Sequence, residues 1–225
     1  MTNAYPGKSD RQIKVTKKVR FTASKQAWNQ DNSMVPGIGH EEGDAPVLRR
    51  ERTRQYMDVI IKVFPYIAKQ LTLHSADTDQ LCIRLAKTPA RHNNGSYSDA
   101  WSTAVIDPAR KLQSVLDTLC HELIHREQYA TKRLDFGKCE ATGEVGQLWM
   151  GSHHASRGTT YTSYRNLPWE KEAFDGSFKI MEKAVIDAYK AKKISQKILV
   201  NVLSMKTLKK KFPEVIAKLE KKEAK

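Results

Sequence analysis

The five residues His121-Glu122-Leu123-Ile124-His125 constrain this chain more than any other stretch, because they specify a helix and a pair of metal donors together. Helical residues four apart lie on one face about one turn from each other, so the two imidazoles project side by side. Two neutral imidazoles placed in this way can share one cation. From Ala109 onward, Leu112, Val115, Leu116, Leu119, Cys120, Leu123 and Ile124 recur at helical spacing, which predicts a helix with one side set into a core. Asp107 and Pro108 stand where a cap and a first-turn proline belong. The competing explanation is a core helix whose histidines are satisfied by ordinary hydrogen bonds. Against it, chance yields H-E-x-x-H in roughly one shuffled chain of this composition in a hundred.

Glu122 follows the first histidine by one position, within reach of a water on the cation without itself being a ligand. That is the position of a general base. Zinc lowers the pKa of such a water to about 7, the carboxylate takes the proton, and the hydroxide attacks a carbonyl polarised by the same ion. A catalytic zinc usually takes three protein ligands, so a third donor is required. Downstream stand His153, His154, Cys139 and the carboxylates Glu140, Glu144, Glu170, Glu172 and Asp175. Glu170 is favoured: the segment from Leu167 to Phe174 starts a helix, with Asn166 as cap and Pro168 in the first turn, which places Glu170 and Glu172 on an ordered element. His153 and His154 fall in the Gly- and Ser-containing stretch 150–158, which reads as a loop. Either is an alternative third ligand or an oxyanion donor, set against the plainer reading of exposed loop histidines.

The motif preceded by Thr118-Leu119, followed by Arg126-Glu127-Gln128-Tyr129 and closed by Pro168-Trp169-Glu170-Lys171-Glu172-Ala173 resembles the gluzincin zinc metallopeptidases. The likeness is greatest to the small, minigluzincin-like members and related bacterial and phage H-E-x-x-H proteins, and it spans residues 80 to 190. It implies a zincin-like fold and a zinc-dependent endopeptidase acting on a protein or peptide substrate. One Zn2+ ion would be held by His121, His125 and Glu170, with Glu122 as base and then acid. In that clan the third ligand is a Glu on a second helix, in many members three residues before an Ala, which falls on Glu170. Glu172 stays an alternative, because the Asp common just after that Ala is replaced here by Phe174, with Asp175 one position late. A rival resemblance is to the SprT-like proteases, which act on DNA-associated proteins and use a third His close after the active helix; none follows His125 closely here. The other alternative is a non-catalytic zincin-fold protein that binds nucleic acid, against which Glu122 argues, since a structural metal site has no use for a base.

The rest of the chain arranges around this centre. Its 225 residues suit one α+β domain with extensions: a mobile basic arm over 1–45, a catalytic domain over 46–190, and a Lys-rich helical extension over 191–225. Residues 46–74 read as helix, with Val59, Ile60, Val63, Phe64, Ile67 and Leu71 along one stripe and Pro65 expected to kink or split it. Leu81, Ile83 and Leu85 alternate as in a strand, and 102–106 form another that runs into the motif helix, so a small sheet is expected against that helix. The connection 131–167 is long enough to imply function or local strands, with a β-prone stretch from Thr159 to Tyr164. There Tyr161 or Tyr164 can donate to an oxyanion or contact substrate, although simple packing is the plainer role for each.

Charge is unevenly spread. The net +14 concentrates at the ends: residues 190–225 carry twelve lysines against three glutamates. A basic extension of this kind suggests docking to nucleic acid or an acidic partner, a lid over the cleft, or only a solvated face. Its apolar positions Ile194, Ile198, Leu199, Val202, Leu203 and Met205 must dock somewhere, and Pro213 opens a further short helix with Val215, Ile216 and Leu219. No apolar run reaches the roughly 18 residues of a membrane span and no signal-peptide pattern opens the chain, which leads to the expectation of a cytoplasmic protein with no membrane partner. Cys82, Cys120 and Cys139 lack any paired spacing, in keeping with a reducing compartment.

Overall fold

Alternating segments build the main sheet. In β2 (Cys82–Leu85), Ile83 and Leu85 are buried while Arg84 is exposed, and in β4 (Thr103–Ile106) Ala104 and Ile106 are buried. The two strands pair in parallel with Ile83 opposite Ala104 and Leu85 opposite Ile106, so four apolar side chains share one face. β1 (Arg20–Ala23) adds parallel to β2 and β3 (Gly95–Ser98) antiparallel to β4, in the order β1-β2-β4-β3. The computed structural model describes residues 19–23, 46–71, 73, 80–86, 95–99, 102–139, 142–154 and 160–223, and the fold is α+β. Within the expected N-terminal arm, residues 20–23 are thus a strand of the sheet; 1–18 and 24–45 lie outside the described residues.

The helices cover the apolar face of this sheet. α1 (Pro46–Gln70) buries the expected stripe, including Ile60, Val63, Phe64 and Ile67. Pro65 does not split it, because the carbonyl that loses its partner belongs to Ile61, which is exposed, and water can serve it there. α2 (Leu112–Ala130) carries the motif and starts later than Pro108 suggested. Its N-cap is Lys111, without a side-chain bond, while Asp107 Oδ1 accepts from the Ala109 amide 2.9 Å away and so fixes the turn leading in.

The connection after α2 folds into a second sheet, with β5 (Leu134–Lys138), β6 (Val145–Trp149) and β7 (Ser152–His154) in antiparallel order. A two-residue turn joins β6 to β7, with Met150 and Gly151 both at positive φ, as the twist of a tight hairpin demands. His153 and His154 therefore lie on a strand and are half-buried, where a loop was expected; 155–159 lie outside the described residues. The β-prone stretch ends in a short helix, α3 (Tyr161–Arg165). Thr160 and Ser163 form a reciprocal capping box there, and these local bonds override strand propensity.

α4 (Pro168–Lys190) follows with Leu167 as N-cap and Pro168 at its start. Asn166, expected as that cap, instead closes α3. The chain ends in α5 (Gln196–Val202), α6 (Met205–Lys211) and α7 (Pro213–Glu223), the first two capped by Ser195 and Ser204. Their apolar residues Ile194, Leu199, Val202, Leu203, Leu208, Phe212, Val215 and Ile216 belong to the same buried cluster as α1, α2 and α4. Met205 does not, being 54 % exposed. Glu182 of α4 anchors α6 by accepting from Thr207 Oγ1 at 2.9 Å and pairing with Lys211 at 3.5 Å. Among the described residues no helix is long and apolar enough to cross a membrane.

Candidate metal centre

Three buried donors converge where α2 meets the first turn of α4. His121, His125 and Glu170 present ligand atoms that all lie within 4.8 Å of one another, and among the described residues no other group of His, Cys, Asp or Glu is so arranged. The two Nε2 atoms are 3.2 Å apart, and Glu170 carboxylate oxygens lie 3.2 Å from His121 Nε2 and 3.4 Å from His125 Nε2. Two zinc–nitrogen bonds at a tetrahedral angle set their nitrogens about 3.4 Å apart, which this spacing fits. Glu170 Oε2 is buried and no hydrogen bond of acceptable angle reaches it, although His121 Nε2 is near. A lone pair left in this state suits a cation. These residues can hold a metal ion.

Electrostatics separate the two carboxylates. Burial alone would raise the Glu170 carboxyl, but His121, His125 and the Tyr164 hydroxyl outweigh it and hold it down at about 2. Glu122 goes the other way: burial raises its pKa, Glu170 adds to the rise, and the two histidines only partly offset it. One carboxylate, in the group that could hold a metal ion, is thus kept anionic, while the other, 5 % exposed, is easier to protonate than a free Glu. His125 is raised despite burial, chiefly by its contact with Glu170.

A cavity of about 150 Å3 opens beside the triad. Glu122, His125 and Glu170 line it together with Gly95 and Tyr97 of β3, Gln147 of β6 and Tyr164 of α3. The second sheet, through Leu134 and Gln147, therefore forms one wall of the cavity, and the long connection does hold local strands. Among the described residues none after 190 lines it. Gly95 lets β3 lie this close to α2, because a Cβ there would come within 2.5 Å of Thr118 Cγ2 and 3.0 Å of Glu122 Oε1.

The remaining sequence candidates are placed elsewhere. Glu172 forms an ion pair with Arg133, which also reaches Glu127 at 3.4 Å, so it is not a ligand. One residue separates the two Glu, and on a helix that turns them to different faces. His154 packs edge-on against Trp169 at 5.4 Å and His153 fills the space left by Gly146, so neither joins the triad. Tyr161 is 66 % exposed, lies near Arg165 and does not line the cavity, whereas Tyr164 does. Glu144 and Asp175 are exposed and Cys139 is outside the group, while Glu140 lies outside the described residues.

Two contacts of the triad were not foreseen from the sequence. Gln128, fully buried, places Oε1 2.8 Å from His125 Nδ1 and donates through Nε2 to the Trp169 carbonyl at 3.0 Å. A glutamine three residues beyond a ligating histidine, on the same helical face, is the signal that could have found it. Phe174 packs its ring 4.5 Å from that of His121, with the Arg165 guanidinium 4.3 Å from the Phe174 ring centroid. Compared with protein-family models, curated proteins and solved structures, the chain has no match, so the metal centre rests on its own geometry.

Proposed function

We propose that the chain is a zinc-dependent endopeptidase. One observation carries the reading: a buried carboxylate with a raised pKa, Glu122, lines the cavity beside the His121–His125–Glu170 group without belonging to it. A structural metal site has no use for a base there. Two imidazoles and a carboxylate are a donor set suited to zinc, which when bound would acidify a water to a pKa of about 7 and polarise the scissile carbonyl. Glu122 then takes the proton of the attacking water and returns it to the leaving amine. Tyr164, reaching Glu170 with its hydroxyl and lining the cavity, is the donor proposed for the developing oxyanion. β3, an edge of its sheet, holds the substrate backbone by strand pairing.

The test is metal content and casein cleavage of the wild type and Glu122→Gln. Bound zinc in both with cleavage reduced 10²- to 10⁴-fold in the variant is the expected result. Zinc in both and cleavage in neither favours a binding protein that keeps the fold, and absence of bound metal from the wild type overturns the reading.

A second reading concerns how substrate is reached. Lys190, Lys192, Lys193, Lys197, Lys206, Lys209, Lys210, Lys211, Lys218 and Lys221 are all exposed, while the apolar side chains of their helices, Met205 apart, turn to the core. A lysine-studded surface without an exposed apolar face suits a phosphate backbone better than a membrane. Lys206, Lys209 and Lys210 share a face of α6 by their spacing. Replacing all three with Gln should make the salt dependence of DNA binding shallower by a slope of about 2 to 3, and an unchanged slope removes the proposal. Deletion of 190–225 is the poorer test, since it would open the core.

A further inference from the structure

We propose that Gln128 is the positioning residue of the metal centre, fixing the protonation pattern of His125 and clamping the helix that carries Glu170. Trp169 O is a carbonyl and can only accept, so the side-chain amide facing it at 3.0 Å must be Nε2. Oε1 is thereby turned to His125 Nδ1 at 2.8 Å, and because Oε1 also can only accept, Nδ1 must carry the proton. The proton on Nδ1 leaves Nε2 of the neutral ring with its lone pair, directed at His121 and Glu170. One buried amide therefore determines which nitrogen of His125 can bind metal, and does so through a backbone carbonyl one residue before the third ligand.

The placement is specific to glutamine. Asn is one methylene shorter and cannot span both partners, and a carboxylate can accept from His125 but cannot donate to Trp169 O when ionised. Gln128 has no exposure at all, so water does not substitute for either bond. His121 gains no equivalent from the position one turn beyond Glu170, where Phe174 offers a ring face in place of an acceptor. The orienting duty that two carboxylate partners could share falls on this one amide.

The inference rests on the metal centre and not on peptidase activity, and its experiment reads metal affinity. Zinc and cobalt affinity by chelator competition, the visible spectrum of the cobalt protein, and thermal melting of the metal-free protein would be measured for wild type, Gln128→Met and Gln128→Glu. Met matches the length of Gln and keeps the core filled, so its metal-free form should melt as a folded protein. Its affinity should fall 10- to 100-fold, with a shifted cobalt spectrum. Glu restores the acceptor for Nδ1 and should recover affinity to within a few-fold of wild type, although its metal-free form loses the tie to Trp169. A merely structural Gln128 predicts the reverse, with both variants equally unstable and the affinity and spectrum of the folded fraction unchanged. That outcome, or equal loss in Met and Glu, overturns the proposal while leaving the metal centre standing; no metal bound by the wild type would remove both.

Discussion

The two ends of α4 are built on different terms. Its first turn faces α2 through Glu170, which with Glu122, His125 and Gln128 makes up most of the buried polar residues of the described chain. Its far half buries Met181, Ala184, Val185 and Ala188 in the apolar cluster that also holds Ile60 and Ile67 of α1, Leu199 of α5 and Leu208 of α6. At the polar end each group has a particular partner at a particular distance, and a buried group that loses its partner keeps the whole desolvation cost. At the apolar end the requirement is volume, which neighbouring side chains can partly make up by relaxing. A molecule arranged in this way should lose metal affinity only through changes at the first end, while changes at the far end should cost stability alone.

The sharpest way to break that separation is to remove a ligand. Glu170→Ala should lower metal affinity by more than about 100-fold, since even an outer partner of a ligand is worth 10- to 100-fold. Glu172→Ala, which removes only an ion pair with Arg133, should leave it intact. Equilibrium dialysis decides between them, and equal losses would mean that the two carboxylates are not divided as described.

At the other end, Leu199→Ala should cost about 2 to 5 kcal/mol of unfolding free energy by denaturant titration, with metal affinity unchanged in the folded protein. A large drop in affinity would show that the two ends are coupled through α4.

Acid sharpens the contrast, because the polar end holds a buried carboxylate kept well below its ordinary pKa. In the metal-free protein Glu170 is held at about 2, below its ordinary 4.5, so the stability it contributes is present above that ordinary value and lost as pH falls toward about 2. The gap amounts to about 3 kcal/mol. The stability difference between wild type and Glu170→Gln should therefore shrink as pH drops from about 5 to about 2; a constant difference would count against the assigned contacts.

Gly95→Ala is the smallest change. The added methyl meets Thr118 and Glu122, and should cost about 1 to 3 kcal/mol by denaturant titration and displace the Glu122 carboxylate, where an alanine in an open strand would stabilise by about 0.5 to 1 kcal/mol.

These tests bear on what could be read from the chain. The helix of His121 and His125, the stripe of α1 and the strands β2 and β4 were legible because each is a local pattern of period 3.6 or 2. Tyr161 and Tyr164 were not separable by sequence, since residues three apart on a helix share a face by spacing, and only the placement of α3 on the fold leaves one in solvent and brings the other to the cavity. Nor were β3 or the second sheet seen as such, being short and weakly patterned. The mixed α+β character stands as expected.

What the sequence determined by itself is the pairing of two imidazoles with an adjacent carboxylate, because five residues of helix suffice to set it. What only the tertiary structure decided is the third donor and everything that orients it. Glu170 meets His121 across the α2–α4 packing, Gln128 reaches back to the Trp169 carbonyl, and β3 comes near Glu122 only because residue 95 has no side chain. Each of these depends on where two distant segments come to rest against a shared core, and that is set by the sum of many packing contacts and not by any local repeat.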